Sequence, residues 1–246
     1  MYDVEVLQER HAAVLARIAA AAGRAGRDPG EVTLIAVTKT WPAELAMAAC
    51  AAGMRDLGEN RPEELAAKRP LVEAARGGAG GITWHLIGPV QSRKSGPAAA
   101  HADVFHALDR DKIARRLSAD RPPAARPLPC FIEVNVSGEA SKLGLDMRNW
   151  ETDATQRGNL RRLITETAAL PGLSVVGLMT MAPWHAEPPA VRAVFRRARQ
   201  LAEWARAETG GEPLCLSMGM TDDFEIAIEE GATHVRVGRA LFGERT

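Results

Sequence analysis

The sequence predicts an α/β protein, a single (β/α)8 TIM barrel, on three observations. Strand-like apolar runs alternate with helical ones, and such alternation implies parallel pairing with crossover helices. Eight such units fall within 246 residues, close to the roughly 250 typical of a closed barrel. The rival, an open doubly wound sheet, usually carries a Gly-rich turn after its first strand. Here that turn reads Lys39-Thr40-Trp41-Pro42, without glycine. One domain is expected over residues 1–246.

A first helix is expected over 3–22, with Val4, Leu7, His11, Val14, Leu15 and Ile18 on one stripe. Strands follow at 32–38, 55–58, 82–87, 103–107, 130–136, 174–180, 213–217 and 233–237, where β-branched and apolar residues cluster without helical spacing. Helices are clearest at 43–52, 62–75, 159–169, 190–208 and 222–230, rich in Ala, Leu, Glu and Arg. Thr40 is expected to cap the second helix, with Pro42 in its first turn. The Pro-rich stretch 120–129 and the polar stretch 146–158 read as loops.

Lys plus Arg equals Asp plus Glu at 31 each, a formal net charge of zero. No global field draws the chain to nucleic acid or to an anionic membrane. Arg161-Arg162 and Arg196-Arg197 read as exposed helix faces. Cys50, Cys130 and Cys215 have no metal-like spacing and fit a reducing compartment. The charged N-terminus lacks a signal-peptide core, and no apolar run approaches the ~20 residues that span a bilayer. A cytoplasmic monomer is expected.

Barrel chemistry collects at the C-terminal ends of strands. Those ends hold Lys39, Glu59-Asn60, His85, His106, Asn135, Met179-Thr180, Ser217 and Arg236. Period-two alternation turns Arg236 into the barrel mouth while Val235 and Val237 face the helices, and it sets Glu133 and Asn135 opposite Ile132, Val134 and Val136. A lysine desolvated at the first strand's mouth becomes a nucleophile for aldehydes. The ordinary alternative is a stem that packs while its ammonium reaches water. For His85 the ordinary alternative is a satisfied core histidine.

After the seventh strand comes Ser217-Met218-Gly219-Met220-Thr221, and after the eighth comes Gly238-Arg239. Barrels often hold phosphate in these two loops, where glycines let backbone N–H groups approach an anion. Thr221 is expected to cap a helix beginning at Asp222, and Asp222 and Asp223 must then face away from the phosphate. An amine and a phosphate cradle at one barrel mouth suit pyridoxal 5′-phosphate (PLP), which carries an aldehyde and a phosphate. Arg236 suits the ring nitrogen, because PLP proteins tune that atom with Asp or Arg. Arginine only donates, so the nitrogen stays unprotonated and the cofactor is a weaker electron sink. The alternative for Arg236 is an ion pair to Glu133 or Asp223.

The motifs GENRPEE (58–64), WHLIGPVQSRK (84–94), VNVSGEASKLGL (134–145), GLMTM (177–181) and LSMGMTDDFEIAIEEGATHVRVGRALFG (216–243), with the early AVTK, resemble those of the YggS/PROSC family of pyridoxal phosphate homeostasis proteins. The similarity runs in order through almost the whole chain. It implies the PLP-binding, alanine racemase-like TIM barrel without a second β-domain, and an aldimine on Lys39. It further implies that Ser217, Met218, Gly219, Thr221 and Gly238 hold the phosphate, that Arg236 meets the ring nitrogen, and that Asn60, His85, Asn135 and Met179 line the ring. Arg61-Pro62, Glu63 and Arg93 depart from the family pattern.

A racemase needs a base on each face of its planar intermediate. The chain ends at Thr246 with no further domain expected, and Tyr2, its only tyrosine, is expected to lie away from any strand end. The expectation is therefore a PLP carrier in vitamin B6 homeostasis, without substantial turnover, that serves PLP-dependent apo-enzymes. Two alternatives stay open: an amino-acid racemase or decarboxylase whose base is Lys142 or His85 or comes from a partner chain, and a cofactor-free Schiff-base aldolase, which has no need of Arg236.

Overall fold

The computed structural model describes residues 2–77, 81–139, 143–212 and 214–244. The strands are β1 (Thr33–Val37), β2 (Asp56–Glu59), β3 (Thr83–Leu86), β4 (Val104–Leu108), β5 (Leu128–Asn135), β6 (Leu145–Asp146), β7 (Leu173–Met179), β8 (Cys215–Ser217) and β9 (His234–Val237). Among the described residues, eight parallel strands run in the order β4-β3-β2-β1-β9-β8-β7-β5, and β4 pairs with β5 to close the ring. The two-residue β6 adds a parallel pair outside it, Val134 against Leu145. The expected barrel is present, with each predicted strand within two residues of its position at either end.

The helices are α1 (Val4–Arg24), α2 (Ala43–Ala51), α3 (Pro62–Ala75), α4 (Ser95–His101), α5 (Asp111–Asp120), α6 (Ala154–Ala168), α7 (Pro188–Thr209), α8 (Phe224–Glu229) and α9 (Arg239–Phe242). Helix α1 precedes the first unit and packs on α2, α8 and α9. Bidentate Arg17–Glu225 hydrogen bonds of 2.9 Å tie it to α8. Its buried stripe is Leu7, Val14, Ile18, Ala21 and Ala22, whereas Leu15 is 45% exposed. Leu15 belongs to the solvent side because it lies about 100° further round than Val14. No helix among the described residues is long and apolar enough to cross a membrane.

Three expected boundaries are corrected. Helix α6 begins at Ala154, inside the expected loop, because Asp153 accepts hydrogen bonds from Thr155 N (2.7 Å) and Gln156 N (3.2 Å), an N-cap that satisfies otherwise orphaned donors. Thr40 does not cap α2: the N-cap is Pro42, and Thr40 sits at φ 68° with its N–H donating to Glu64 Oε1 at 2.5 Å. Helix α8 begins at Phe224, so Thr221 and Asp222 lie in the preceding turn. Arg197 is also no surface cation. It is half-buried and donates to Val136 O (2.7 Å), Arg148 O (2.8 Å) and both oxygens of Glu151, tying the ends of β5 and β6 to α7.

Candidate functional site

The site is built on neighbouring strands. β1 and β9 pair in parallel, with Ile35 opposite Arg236, so the turn carrying Lys39 and the strand carrying Arg236 reach the same rim. Lys39 is half-buried in that turn. Beneath it, Lys68 from α3 donates to Thr38 O (2.8 Å), Glu59 Oε1 (2.8 Å) and Glu64 Oε1 (2.6 Å). Thr38 Oγ1 donates to the same Glu59 oxygen at 2.6 Å. Burial pushes the Glu59 carboxyl up against the pull of Lys68 and Thr38. An open cleft of about 540 Å³ borders the turn, lined by Thr40, Arg61, Glu63, Glu64 and Lys94. Arg61 and Glu63, which depart from the family pattern, are therefore on its rim.

Arg236 is 5% exposed. It donates to Ser217 O and Ser217 Oγ, both at 2.8 Å, and to Thr180 O at 3.2 Å. Burial pushes it down to about 10, with Asp223 and Glu133 opposing that shift, so it is a cation at neutral pH. Its side-chain hydrogen bonds go to Ser217 and Thr180, and the charges of Asp223 and Glu133 act on it as well. Glu133 is itself buried and pushed up to about 7, chiefly by burial.

The loop after β8 is tied to the same arginine. Arg236 N donates to Gly219 O at 2.9 Å, and Met218 N donates to His234 O at 3.1 Å. Gly219 has φ 95°, and a Cβ there would lie 2.6 Å from Ala227 Cβ and 2.9 Å from Phe224 Cα. Only glycine lets the loop lie this close to α8. The acids that had to turn away from a phosphate have partners: Asp222 pairs with Arg239, and Asp223 Oδ1 accepts from Met220 N at 2.5 Å. Gly238 caps α9, its carbonyl accepting from Leu241 N (3.0 Å) and Phe242 N (2.9 Å). Thr221 is half-buried in the turn between them.

The ring-lining candidates separate. Met179 ends β7 and is buried. Asn60, half-buried after β2, is where the loop after β3 closes in: a Cβ on Gly88 would come within 2.5 Å of Asn60 Oδ1. Asn135 shapes its own turn, accepting from Ser137 N (3.1 Å) and Ser137 Oγ (2.9 Å) and donating to Glu139 O (2.7 Å). His85 has both ring nitrogens engaged, Nδ1 with His106 Nε2 and Nε2 with Asp56 Oδ1, each at 2.9 Å. Lys142 lies outside the described residues. Tyr2 is not remote from the strand ends, because its ring meets Trp41 edge-on at 6.3 Å in the turn after β1.

Asp56, Lys68 and His234 were missed by sequence reasoning. Lys68 had a signal in its i,i+4 spacing from Glu64. Asp56 starts its strand and His234 starts β9, and a search confined to C-terminal strand ends passes over both. The donor set suits PLP: an amine, a glycine-shaped loop and a buried donor-only side chain converge on one rim.

The alanine racemase N-terminal domain matches residues 11–246. A pyridoxal phosphate homeostasis protein of Pseudomonas aeruginosa is 44% identical over 242 residues, covering 98% of this chain and 97% of that one. One from Escherichia coli K12 is 43% identical over 233 residues, covering 93% and 92%. PipY of Synechococcus elongatus, solved with PLP bound, superposes with a TM-score of 0.79 at 32% identity, over 96% of this chain and 100% of its own. An alanine racemase of Clostridium difficile shares the fold at TM-score 0.72 and 11% identity, over 98% of this chain and 57% of its own. The chain belongs to the family of pyridoxal phosphate homeostasis proteins, which here takes the fold of the alanine racemase N-terminal domain.

Proposed function

We propose that the whole chain is one PLP-binding unit that holds the cofactor through Lys39 and takes part in intracellular PLP homeostasis without substantial turnover. The observation that carries this reading is β9: it presents Arg236, holds the Gly219 carbonyl through the Arg236 amide, and pairs with the strand leading to Lys39. Lys39 supplies the amine for the aldehyde. Ser217, Met218, Gly219, Thr221 and Gly238 hold the phosphate, Arg236 meets the ring nitrogen, and Asn60, His85, Asn135 and Met179 bound the ring. When bound, PLP supplies an electron sink for amine chemistry. Arg236 stays cationic and can only donate, so it leaves the ring nitrogen unprotonated and limits that sink. This disfavours efficient carbanion chemistry and favours storage and delivery to PLP-dependent apo-enzymes in the cytoplasm.

The second reading, a PLP-dependent amino-acid racemase or decarboxylase, draws on Tyr2, whose contact with Trp41 places a phenol beside the Lys39 turn. His85 is a poor base for it, with both nitrogens engaged.

A visible absorption spectrum of the purified protein beside Lys39→Ala tests the cofactor. A yellow wild type that borohydride bleaches, with the label on Lys39, and a mutant lacking the band are expected. A wild type that stays colourless after added PLP rejects the reading. Chiral analysis of amino acids incubated with the loaded protein separates carrier from racemase.

A further inference from the structure

A chain of hydrogen bonds crosses the barrel interior from the wall of β2–β4 to the wall of β8–β9. Asp56 Oδ1 meets His85 Nε2 at 2.9 Å, and His85 Nδ1 meets His106 Nε2 at 2.9 Å. His106 Nδ1 meets Ser217 Oγ at 2.8 Å, and Ser217 Oγ meets Arg236 Nη1 at 2.8 Å. The three middle side chains are 2% exposed or less, while Asp56 retains 28% side-chain exposure at the start of β2. One end therefore touches solvent at the N-terminal rim, and the other is the buried arginine at the mouth.

The two ends set the direction of every proton between them. A guanidinium only donates and an ionised carboxylate only accepts, whereas serine and neutral histidine do both. With both histidines neutral, one arrangement satisfies all four contacts. Arg236 donates to Ser217, whose hydroxyl donates to His106 Nδ1. His106 Nε2–H donates to His85 Nδ1, and His85 Nε2–H donates to Asp56. The surroundings support a neutral His106. Burial, then His85, His234 and Arg236, hold it well below the usual imidazole value. Its ring stacks on Phe131 at 4.5 Å and 12°, which restricts rotation. His234 lies outside the chain, its Nδ1 engaged with Thr233 Oγ1 at 2.8 Å.

We propose that Asp56 is a positioning residue for Arg236, acting across the barrel through His85, His106 and Ser217; its consequence for the cofactor rests on the PLP reading above. Without the carboxylate, His85 is free to take the Nδ1–H tautomer, which sets donor against donor at His106 Nε2. His106 must then carry its proton on Nδ1, and Ser217 receives two donors and needs a new acceptor for its own proton. The disturbance ends at the guanidinium that meets the ring nitrogen. Such chains polarise cooperatively in a low-dielectric interior.

Two-bond 1H–15N spectra of the labelled apoprotein read the tautomers directly. Nε2–H forms are expected at both His85 and His106, and a His106 Nδ1–H signal would overturn the direction of the chain. In Asp56→Ala, the His106 tautomer and the Arg236 Nε–H resonance are expected to move. PLP binding should weaken by about 3- to 10-fold, and the visible band of the loaded protein should shift. Asp56→Asn, which keeps an oxygen acceptor, should restore most of this. An Asp56→Ala protein with unchanged Arg236 resonance and unchanged PLP affinity overturns the proposal. A wild type that binds no PLP, yet shows both tautomers and the Arg236 response, supports the relay and rejects the cofactor reading instead.

Discussion

Lys68 Nζ lies 2.8 Å from Glu59 Oε1 with both side chains shut away from solvent, 7% and 0% exposed. The same ammonium holds the carbonyl of Thr38, the residue before Lys39. The pair therefore couples the stability of the barrel wall to the position of Lys39. Removing one partner of a buried ion pair leaves an uncompensated charge, a loss of about 3–5 kcal/mol. Lys68→Met is expected to lower stability by that order in urea denaturation and to weaken PLP binding. The double variant Lys68→Met/Glu59→Gln should recover a large part of the stability, because no buried charge is left unpaired.

Glu133 carries a pH dependence of known sign. Its carboxyl is raised from 4.5 to about 7 in the folded protein. Below the unfolded value both states hold the proton and nothing is lost. As pH rises towards 7 the unfolded chain releases its proton first, so stability falls, and above 7 the loss is constant. In the apoprotein, Glu133→Gln should match the wild type at the acid end and exceed it by on the order of 2 kcal/mol above neutrality. Urea midpoints on either side of this window measure the difference. An equal gain at both ends would place the effect in packing instead.

Gly219→Ala should damage both the fold and the anion loop. The residue's φ is 95°, and its new methyl would meet Ala227 and Phe224 at 2.6 and 2.9 Å. Overpacking of this kind destabilises by about 1–3 kcal/mol, with added strain at positive φ. Thermal unfolding reads the first effect. Titration with inorganic phosphate and with PLP reads the second, and both ligands should bind more weakly.

Asp153→Ala removes the cap of α6. The two hydrogen bonds it accepts, at 2.7 and 3.2 Å, satisfy N–H groups that then depend on water. A loss of about 1 kcal/mol is expected, confined to stability. Unchanged PLP affinity alongside a lower urea midpoint would confirm that α6 is remote from the site.

The eight strands and the residues at their C-terminal ends were legible because both depend on local pattern. Apolar runs in Glu31–Thr38 or Thr233–Val237 can bury only as strands, and alternation alone turns Arg236 inward. Glycines at 219 and 238 marked the two loops after the last strands for the same reason. Helix ends were less legible, since the Asp153 cap competes with a polar segment that reads equally well as loop.

Contacts that side chains make with groups far apart in sequence were not legible at all. That Lys68 reaches back 30 residues to Thr38, that Tyr2 meets Trp41, and that His106 joins Ser217 across 111 residues all depend on how the barrel closes. The sequence by itself determined the barrel, its order of units and the identity of the residues at its mouth, because periodicity and turn chemistry are local. The tertiary structure alone decided which buried polar groups satisfy one another. Closure brings β4 and β8 to opposite walls of one interior, where each desolvated donor must find an acceptor.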